Sequence, residues 1–240
     1  SSERDFDAQC DDCLGVMSHD DAAKNYDDVA ARVTAAAERS GRDASSVQLV
    51  AVSKAKSVAD IEAVYELGHR DFGENRAQEM AEKAARLPDD IRWHFVGGLQ
   101  TNKARLIRPI THLLHSMDRE SLAAAWAKGS GLPPPVLLQV NTGHEPQKSG
   151  VEPGDAPATL AQVLSVGLEV RGLMVIPPLT EDPEAQRAHF AMLREIRSVL
   201  AVEHPEIIEL SMGMTDDFEI AIEEGSSIIR VGRAIFGERT

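Results

Sequence analysis

The feature that most constrains the fold is a regular alternation of short apolar runs with amphipathic stretches between residues 48 and 237. The eight apolar runs cover residues 49–53, 71–73, 93–96, 112–116, 136–140, 169–175, 207–210 and 228–231. The stretches between them have a helical pattern and cover about 57–67, 75–86, 101–108, 119–128, 156–166, 183–201 and 216–224. Alternating strands and helices indicate βαβ units and a parallel sheet. Eight such units favour a single (β/α)8 barrel of the α/β class, with a doubly wound open sheet as the alternative.

A helix and a tail precede the barrel. Apolar side chains recur at helical spacing over residues 21–40, and Gly41 marks the end of this added N-terminal helix. Residues 1–20 have no hydrophobic periodicity and are predicted to be a disordered or expression-derived tail. The barrel domain is therefore expected to span residues 21–240.

Composition argues against several kinds of partner. The 240 residues have a net charge of −14, which disfavours nucleic acid and anionic membranes. No apolar run approaches the ~20 residues of a membrane span, and the acidic first segment does not resemble a secretory signal, so a cytoplasmic location is expected. Cys10 and Cys13 lack the second Cys/His pair of a zinc site, and no metal is expected.

Two turns late in the chain are rich in Ser, Thr and Gly. One covers residues 211–215 after the seventh predicted strand, and the other covers residues 232–234 after the eighth. Barrels of this class hold phosphate groups at these two positions, largely through backbone N–H groups. From the pattern alone, it is equally possible that these are two ordinary connecting turns with no phosphate site.

Lys54 is the residue with the most informative position. Side chains alternate along a strand, so Val50, Val52 and Lys54 share one face, which points into the barrel if the valines do. An amine withdrawn from water is a nucleophile toward carbonyls, which suits Schiff-base chemistry. The alternative is that Lys54 extends to solvent at the rim.

Barrel closure would make the lysine of strand one a neighbour of the phosphate turns. Pyridoxal 5′-phosphate (PLP) carries an aldehyde and a phosphate on one ring, and its pyridine nitrogen commonly meets an Asp or an Arg. Arg230 on the eighth strand is placed to be that partner, and because arginine keeps its proton, the ring nitrogen would stay unprotonated. A Schiff-base aldolase also uses a lysine and a phosphate site and remains an alternative.

Several motifs then occur in a characteristic order. They are LVAVSK (49–54), FGENRAQE (72–79), WHFVGGLQTNK (93–103), QVN (139–141) with KSG (148–150), RGLMVIP (171–177) and LSMGMTDDFEIAIEEGSSIIRVGRAIFG (210–237). With these motifs the chain resembles the pyridoxal phosphate homeostasis proteins, whose barrel is similar to the N-terminal domain of alanine racemase. The resemblance runs from about residue 25 to the end, with Gly98 as a departure.

The resemblance implies a set of cofactor-binding residues. Lys54 would hold PLP as an internal aldimine, and Arg230 would face the ring nitrogen. The phosphate would be held by Ser211, Gly213 and Thr215, with the backbone N–H groups of Gly232 and Arg233. The ring pocket would be lined by Asn75, His94 and Met174.

The resemblance also implies a monomeric carrier or regulator of PLP supply, with PLP-dependent apo-enzymes as partners and no established reaction. The alternative is an amino-acid racemase or decarboxylase, and a dehydratase-like barrel is a weaker third class. A racemase needs a second acid/base, which in that fold is a tyrosine from a C-terminal β domain of the partner subunit. Here the sequence stops three residues after Gly237, and its two tyrosines, Tyr26 and Tyr65, lie on predicted helices. The chain is therefore expected not to be an enzyme.

Overall fold

Eight parallel strands pair in chain order and close into a barrel, as the alternation predicts. In this computed structural model, which describes residues 18–145 and 147–237, the last strand pairs with the first and sets Leu49 opposite Ile229. The strands are β1 Gln48–Val52, β2 Asp71–Glu74, β3 Arg92–Phe95, β4 Thr111–Met117, β5 Val136–Val140, β6 Val170–Val175, β7 Glu209–Ser211 and β8 Ile228–Val231. The (β/α)8 barrel is confirmed.

Helices cover the outside of the barrel. They are α1 His19–Arg39, α2 Val58–Glu66, α3 Ala77–Ala84, α4 Ala104–Ile107, α5 Glu120–Ala127, α6 Ala156–Ser165, α7 Pro183–Leu200, α8 Phe218–Glu223 and α9 Arg233–Phe236. Short 3₁₀ turns add Ala44–Ser46, Thr101–Lys103, Arg108–Ile110 and Pro153–Asp155. No helix in these described ranges is both long and apolar enough to cross a membrane.

The N-terminal helix begins two residues earlier than predicted. Ser18 caps it, because the Ser18 side chain accepts a hydrogen bond from the Asp21 N–H at 3.1 Å. Residues 1–17 of the predicted tail, with Cys10 and Cys13, lie outside the described residues. The buried face of α1 packs against α2, α8 and α9, so the first helix supports the last two.

The core has two layers. Large side chains such as Phe72, Phe95 and Trp126 fill the space between the strands and the helices. A smaller apolar cluster fills the barrel interior and consists of Val50, Val52, Val96, Leu113, Leu137, Met174 and Ile228. The inward face predicted for β1 is therefore correct.

The seventh strand is displaced from its predicted position at 207–210. The Ile207 N–H donates to the His204 carbonyl at 3.0 Å and so belongs to the preceding turn. Ile208 is 63% exposed, although a buried strand was predicted there. The displacement makes Ser211 the last strand residue instead of the first turn residue.

Candidate functional site

A cavity of about 550 Å³ opens at the carboxyl ends of the strands. Its volume lies within the usual range for small-molecule sites. Six of the ten predicted site residues line it: Lys54, Asn75, Thr215, Arg230, Gly232 and Arg233. The barrel has thus brought together groups from β1, β2, β7 and β8 that are far apart in the sequence.

The cavity is basic although the chain is acidic. Among the described residues that line it, Lys54, Lys56, Arg230 and Arg233 are cationic and Asp216 is anionic. Asp216 forms an ion pair with Arg233 at the rim. Because an excess of positive charge around a cavity attracts anions, this end of the barrel suits an anionic ligand.

Lys54 lies in a strained turn directly after β1. The next residue, Ala55, has a positive φ of 58°, which residues other than glycine rarely adopt. The Glu79 carboxylate accepts a hydrogen bond from the Ala55 N–H at 2.6 Å. On the other side of Lys54, the Ser53 N–H donates to the Gly73 carbonyl at 2.9 Å. The backbone is therefore held on both sides of the lysine.

A buried ammonium supports the same turn from below. Lys83 Nζ donates to the Ser53 carbonyl at 2.8 Å and to Glu74 Oε1 and Glu79 Oε1 at 2.7 Å each. Ser53 Oγ also donates to Glu74 Oε1 at 2.7 Å. Burial raises the pKa of Glu74, and the hydrogen bond and charge of Lys83 oppose that rise. We call Ser53, Glu74, Glu79 and Lys83 the Lys83 cluster.

Sequence reasoning missed the Lys83 cluster. The signal was the spacing of Glu79 and Lys83, four residues apart on α3, which reads equally well as a surface ion pair. Only the structure shows that Lys83 is buried and directed toward the end of β1.

Arg230 is a buried cation whose side chain borders the cavity. One terminal nitrogen donates to Ser211 Oγ at 2.6 Å, and the other donates to the Val175 carbonyl at 2.8 Å. Burial lowers the pKa of Arg230 to about 10, so the guanidinium remains charged at neutral pH. These contacts fix its plane at the end of β8.

The turn after β8 brings backbone close to the cavity. A Cβ on Gly232 would lie 3.0 Å from the Val52 carbonyl oxygen, so a side chain there would crowd β1. Gly232 is also the N-cap of α9, and the first N–H groups of a helix have no partner inside it. The predicted turn at 232–234 is in fact the start of this short helix.

Four predicted contacts do not line the cavity. Gly213 packs against α8, where a Cβ would come within 2.8 Å of the Phe218 Cα, and it accepts the Arg230 N–H at 3.0 Å. The Ser211 hydroxyl points into the barrel interior, where it contacts Arg230 and His115. In the structure this hydroxyl does not line the cavity, and its predicted contact with phosphate stays a prediction.

His94 and Met174 lie deeper in the barrel than predicted. His94 is fully buried and contacts Asp71 and His115, and Met174 belongs to the interior apolar cluster. Ile176, two residues after Met174, is the β6-side residue that lines the cavity. Strand alternation could have found Ile176, because it continues the inward face of β6 toward the carboxyl end.

Comparisons with known proteins agree with the fold and with the motifs. The family model described as alanine racemase, N-terminal domain, matches residues 25–240. A pyridoxal phosphate homeostasis protein of Vibrio cholerae is 43% identical over 226 residues, which are 90% of this chain and 95% of that protein.

Solved structures of similar fold agree with the family that the sequence comparisons indicate. PipY of Synechococcus elongatus with PLP bound is 40% identical, with a TM-score of 0.72 over 80% of this chain and 93% of that chain. Alanine racemase from Corynebacterium glutamicum has a TM-score of 0.73 over 93% of this chain and 62% of that chain, and at 16% identity it shares the fold alone. The chain therefore belongs to the pyridoxal phosphate homeostasis proteins, within the alanine racemase N-terminal domain family.

Proposed function

We propose that this chain binds PLP and acts in its homeostasis. The observation that carries the proposal is the meeting of Lys54, Arg230 and the Gly232 turn around one basic cavity at the carboxyl ends of the strands. Relatives of nearly equal length are named for this role, and PipY is similar in structure and has PLP bound.

The residues present fit the three functional groups of PLP. Lys54 supplies an amine for the aldehyde, and Arg230 supplies a charged donor for the pyridine nitrogen. The Gly232 turn and Thr215 supply donors for the phosphate, with Arg233 adding backbone N–H and positive charge. Asn75 lines the wall beside Lys54. When bound, the cofactor supplies a reactive aldehyde and an electron-accepting ring.

The four predicted residues that do not line the cavity are proposed to support it from behind. Gly213 allows α8 to pack close beneath the turn after β7. Ser211 orients Arg230, and Met174 fills the interior below the cavity. His94 does not line the cavity, and we propose that it acts through its hydrogen bond with His115.

We propose further that the chain stores and supplies PLP to cytoplasmic apo-enzymes as a monomer, without turning over amino acids. The two tyrosines, the residue type that serves as the opposing acid/base in a racemase, lie elsewhere: the Tyr26 hydroxyl is 3.0 Å from His69 Nδ1 on the outside of the barrel, and the Tyr65 hydroxyl donates to Asp90 at 2.7 Å. Arg230 would also leave the ring nitrogen unprotonated, which weakens its capacity to accept carbanion charge.

The test of PLP binding is a titration of the apo-protein with PLP, followed by borohydride reduction and peptide mass spectrometry. We expect a visible absorbance band that reduction abolishes, with the added mass on Lys54. Lys54→Ala should lose the reducible band, because the covalent linkage needs the amine. Lys56→Ala, which removes the other lysine of the cavity wall, is the matched control and should keep it.

A reducible band that persists in Lys54→Ala would contradict the assignment of the lysine. A wild-type chain that binds no PLP would contradict the function itself. The carrier role is tested on the same loaded protein with L- and D-amino acids and chiral chromatography. Racemisation or decarboxylation faster than about one turnover per second, within the ordinary range of enzymes, would replace the carrier with an enzyme.

A further inference from the structure

A continuous chain of polar side chains crosses the interior of the barrel. It runs from Arg230 through Ser211, His115 and His94 to Asp71, and we call it the Arg230–Asp71 chain. The successive contacts are 2.6 Å from Arg230 to Ser211 Oγ, 2.8 Å to His115 Nδ1, 2.9 Å from His115 Nε2 to His94 Nδ1, and 3.1 Å from His94 Nε2 to Asp71 Oδ1. All five side chains are buried.

The two ends of the chain lie at opposite mouths of the barrel. Arg230 borders the cavity at the carboxyl ends of the strands. Asp71 is the first residue of β2, at the amino ends, where Arg92 Nε and Gln48 Nε2 donate to it at 2.7 and 2.9 Å. The Arg92 side chain is half exposed. The chain therefore links the cavity to the opposite face.

With both rings neutral, the chemistry of the ends fixes the direction of every hydrogen bond. A guanidinium can only donate and a carboxylate can only accept. His94 must then donate from Nε2 to Asp71, so a neutral His94 accepts at Nδ1 from His115 Nε2. His115 in turn accepts at Nδ1 from the Ser211 hydroxyl, whose oxygen accepts from Arg230.

The surroundings keep both rings neutral, as this direction requires. Burial lowers the pKa of His94, against the opposing effect of Asp71. Burial, together with the positive charge of Arg230, holds the pKa of His115 well below its usual range. His112 also lies against the pair, with its ring centroid 5.4 Å from that of His94, and Arg92 and His69 are near enough to interact electrostatically with His94. Burial alone would raise the pKa of Asp71. The hydrogen bonds from Arg92 and His94 outweigh this effect and hold the pKa of Asp71 below its usual range.

The buried charge of Arg230 needs such a chain. Within the described residues, its hydrogen-bond partners are a hydroxyl and a carbonyl, and Asp217 acts on it only through space. A buried cation without a directly bonded anion is costly, and aligned dipoles that end on an ionised carboxylate reduce that cost. The interior could otherwise have been filled by apolar side chains, as it is around Leu137.

We propose that Ser211, His115 and His94 are positioning residues, which hold the Arg230 guanidinium toward the pyridine nitrogen of PLP and couple it to the Asp71 carboxylate at the opposite mouth. The inference rests on the proposed function, because it assigns the chain a role toward bound PLP.

The experiment compares PLP binding in full-length variants that break or preserve the chain. Ser211→Ala removes one link, and His115→Leu removes another at similar volume. His115→Gln keeps one donor and one acceptor and is the conservative variant. Leu137→Ala, in the same interior but outside the chain, is the control for general loss of packing.

Two readouts separate a positioning role from a structural one. The first is PLP affinity with the visible spectrum of the bound cofactor between pH 5 and 9. The second is the ¹⁵N NMR spectrum of labelled histidines, in which the chain requires both rings of the wild type to be neutral and protonated at Nε2 at pH 7.

We expect Ser211→Ala and His115→Leu to weaken PLP binding about tenfold, the effect of one hydrogen bond to a charged group, and to shift the visible band. His115→Gln should stay within about threefold of the wild type. Leu137→Ala should lower Tm and keep the wild-type spectrum.

If the wild type binds PLP and both Ser211→Ala and His115→Leu keep its affinity and spectrum, the inference is overturned but the proposed function is not. A charged or Nδ1-protonated His115 at pH 7 would also overturn it, and this measurement stands even if His115→Leu does not fold. A wild type that binds no PLP would refute the proposed function and this inference with it.

Discussion

Lys54 is positioned by a backbone turn that is strained at the next residue, Ala55. A positive φ at Ala55 costs about 1–3 kcal/mol, and such strain persists only where the surroundings impose it. Here the Lys83 cluster imposes it through hydrogen bonds to the backbone on both sides of Lys54. The strained turn keeps the amine at the cavity wall.

Breaking the Lys83 cluster should therefore be costly. Lys83→Met leaves the fully buried Glu74 without its cation, and we expect the free energy of unfolding to fall by about 3–5 kcal/mol. The measurement is equilibrium unfolding in urea. The double variant Glu74→Gln with Lys83→Met should recover part of the loss, because no unpaired charge is then buried.

Lys24→Met, at an exposed position of α1, is the control and should change the free energy of unfolding by less than about 0.5 kcal/mol. A loss of that small size for Lys83→Met would show that the cluster does not stabilise the turn.

At this scale, sequence reasoning placed Lys54 and Arg230 at one cavity but not the depth of their neighbours. Alternation along a strand tells which face a side chain occupies, and the inward face predicted for β1 was correct. Strand alternation does not show how deep the cavity reaches along the barrel axis. Ser211, His94 and Met174 all lie below that level, and the displacement of β7 makes Ser211 a strand residue where a turn residue was predicted.

At the scale of elements, the turns after β7 and β8 depend on the helices behind them. The α1 side chains Asn25 and Arg32 reach these helices: Asn25 Nδ2 donates to the Ile235 carbonyl in α9 at 3.0 Å, and Arg32 pairs with Glu219 in α8 at 3.0 Å. The first helix of the chain thus steadies both sides of the proposed phosphate site.

Gly232→Ala tests the proposed phosphate site at the turn after β8. The added Cβ would lie 3.0 Å from the Val52 carbonyl oxygen, so we expect the turn to shift. Its backbone N–H groups would then no longer point toward the phosphate. We expect PLP to bind about tenfold more weakly by absorbance titration, and pyridoxal without phosphate to bind weakly to both proteins.

Gly154→Ala is the matched control, because a Cβ there meets nothing within 4 Å and Gly154 lies in a different turn. Equal affinity of the wild type for pyridoxal and for PLP would remove the phosphate site from this part of the barrel.

Most elements were predictable because the longer strands, such as β1 and β5, bury apolar runs and the long helices have a clear apolar stripe. The exceptions are short. The predicted helix over 101–108 is one α-helical turn between two 3₁₀ turns, and Pro109 interrupts its end. The four-residue α9 was predicted as a turn, because so short a helix forms through tertiary packing and not through its own pattern.

At the scale of the whole molecule, the fold buries several histidines in neutral form. Burial lowers the pKa of His69, His94 and His115, with Asp71 opposing the shift at His69 and His94. In the unfolded chain these groups titrate near pH 6.5. Their contribution to stability is therefore fully present above about pH 6.5 and is lost as the pH falls, because only the unfolded chain takes up the protons.

Stability should thus decline as the pH is lowered from about 7 toward 5. Each buried histidine contributes up to about 1.4 kcal/mol per pH unit to the slope of the unfolding free energy. The measurement is urea unfolding at several pH values. His115→Gln should reduce the slope by up to the share of one histidine, and His19→Gln, at an exposed position, is the control. A flat profile for the wild type would show that the buried rings do not titrate on unfolding.

The closure of the barrel has a consequence for protein synthesis. Lys54 leaves the ribosome early, whereas β8, which pairs with β1, and α9, which packs on α1, emerge last of the described strands and helices. A growing polypeptide therefore carries Lys54 long before Arg230 and the Gly232 turn exist. We expect a fragment stalled before the eighth strand to hold this amine without the cavity around it, and so not to retain PLP.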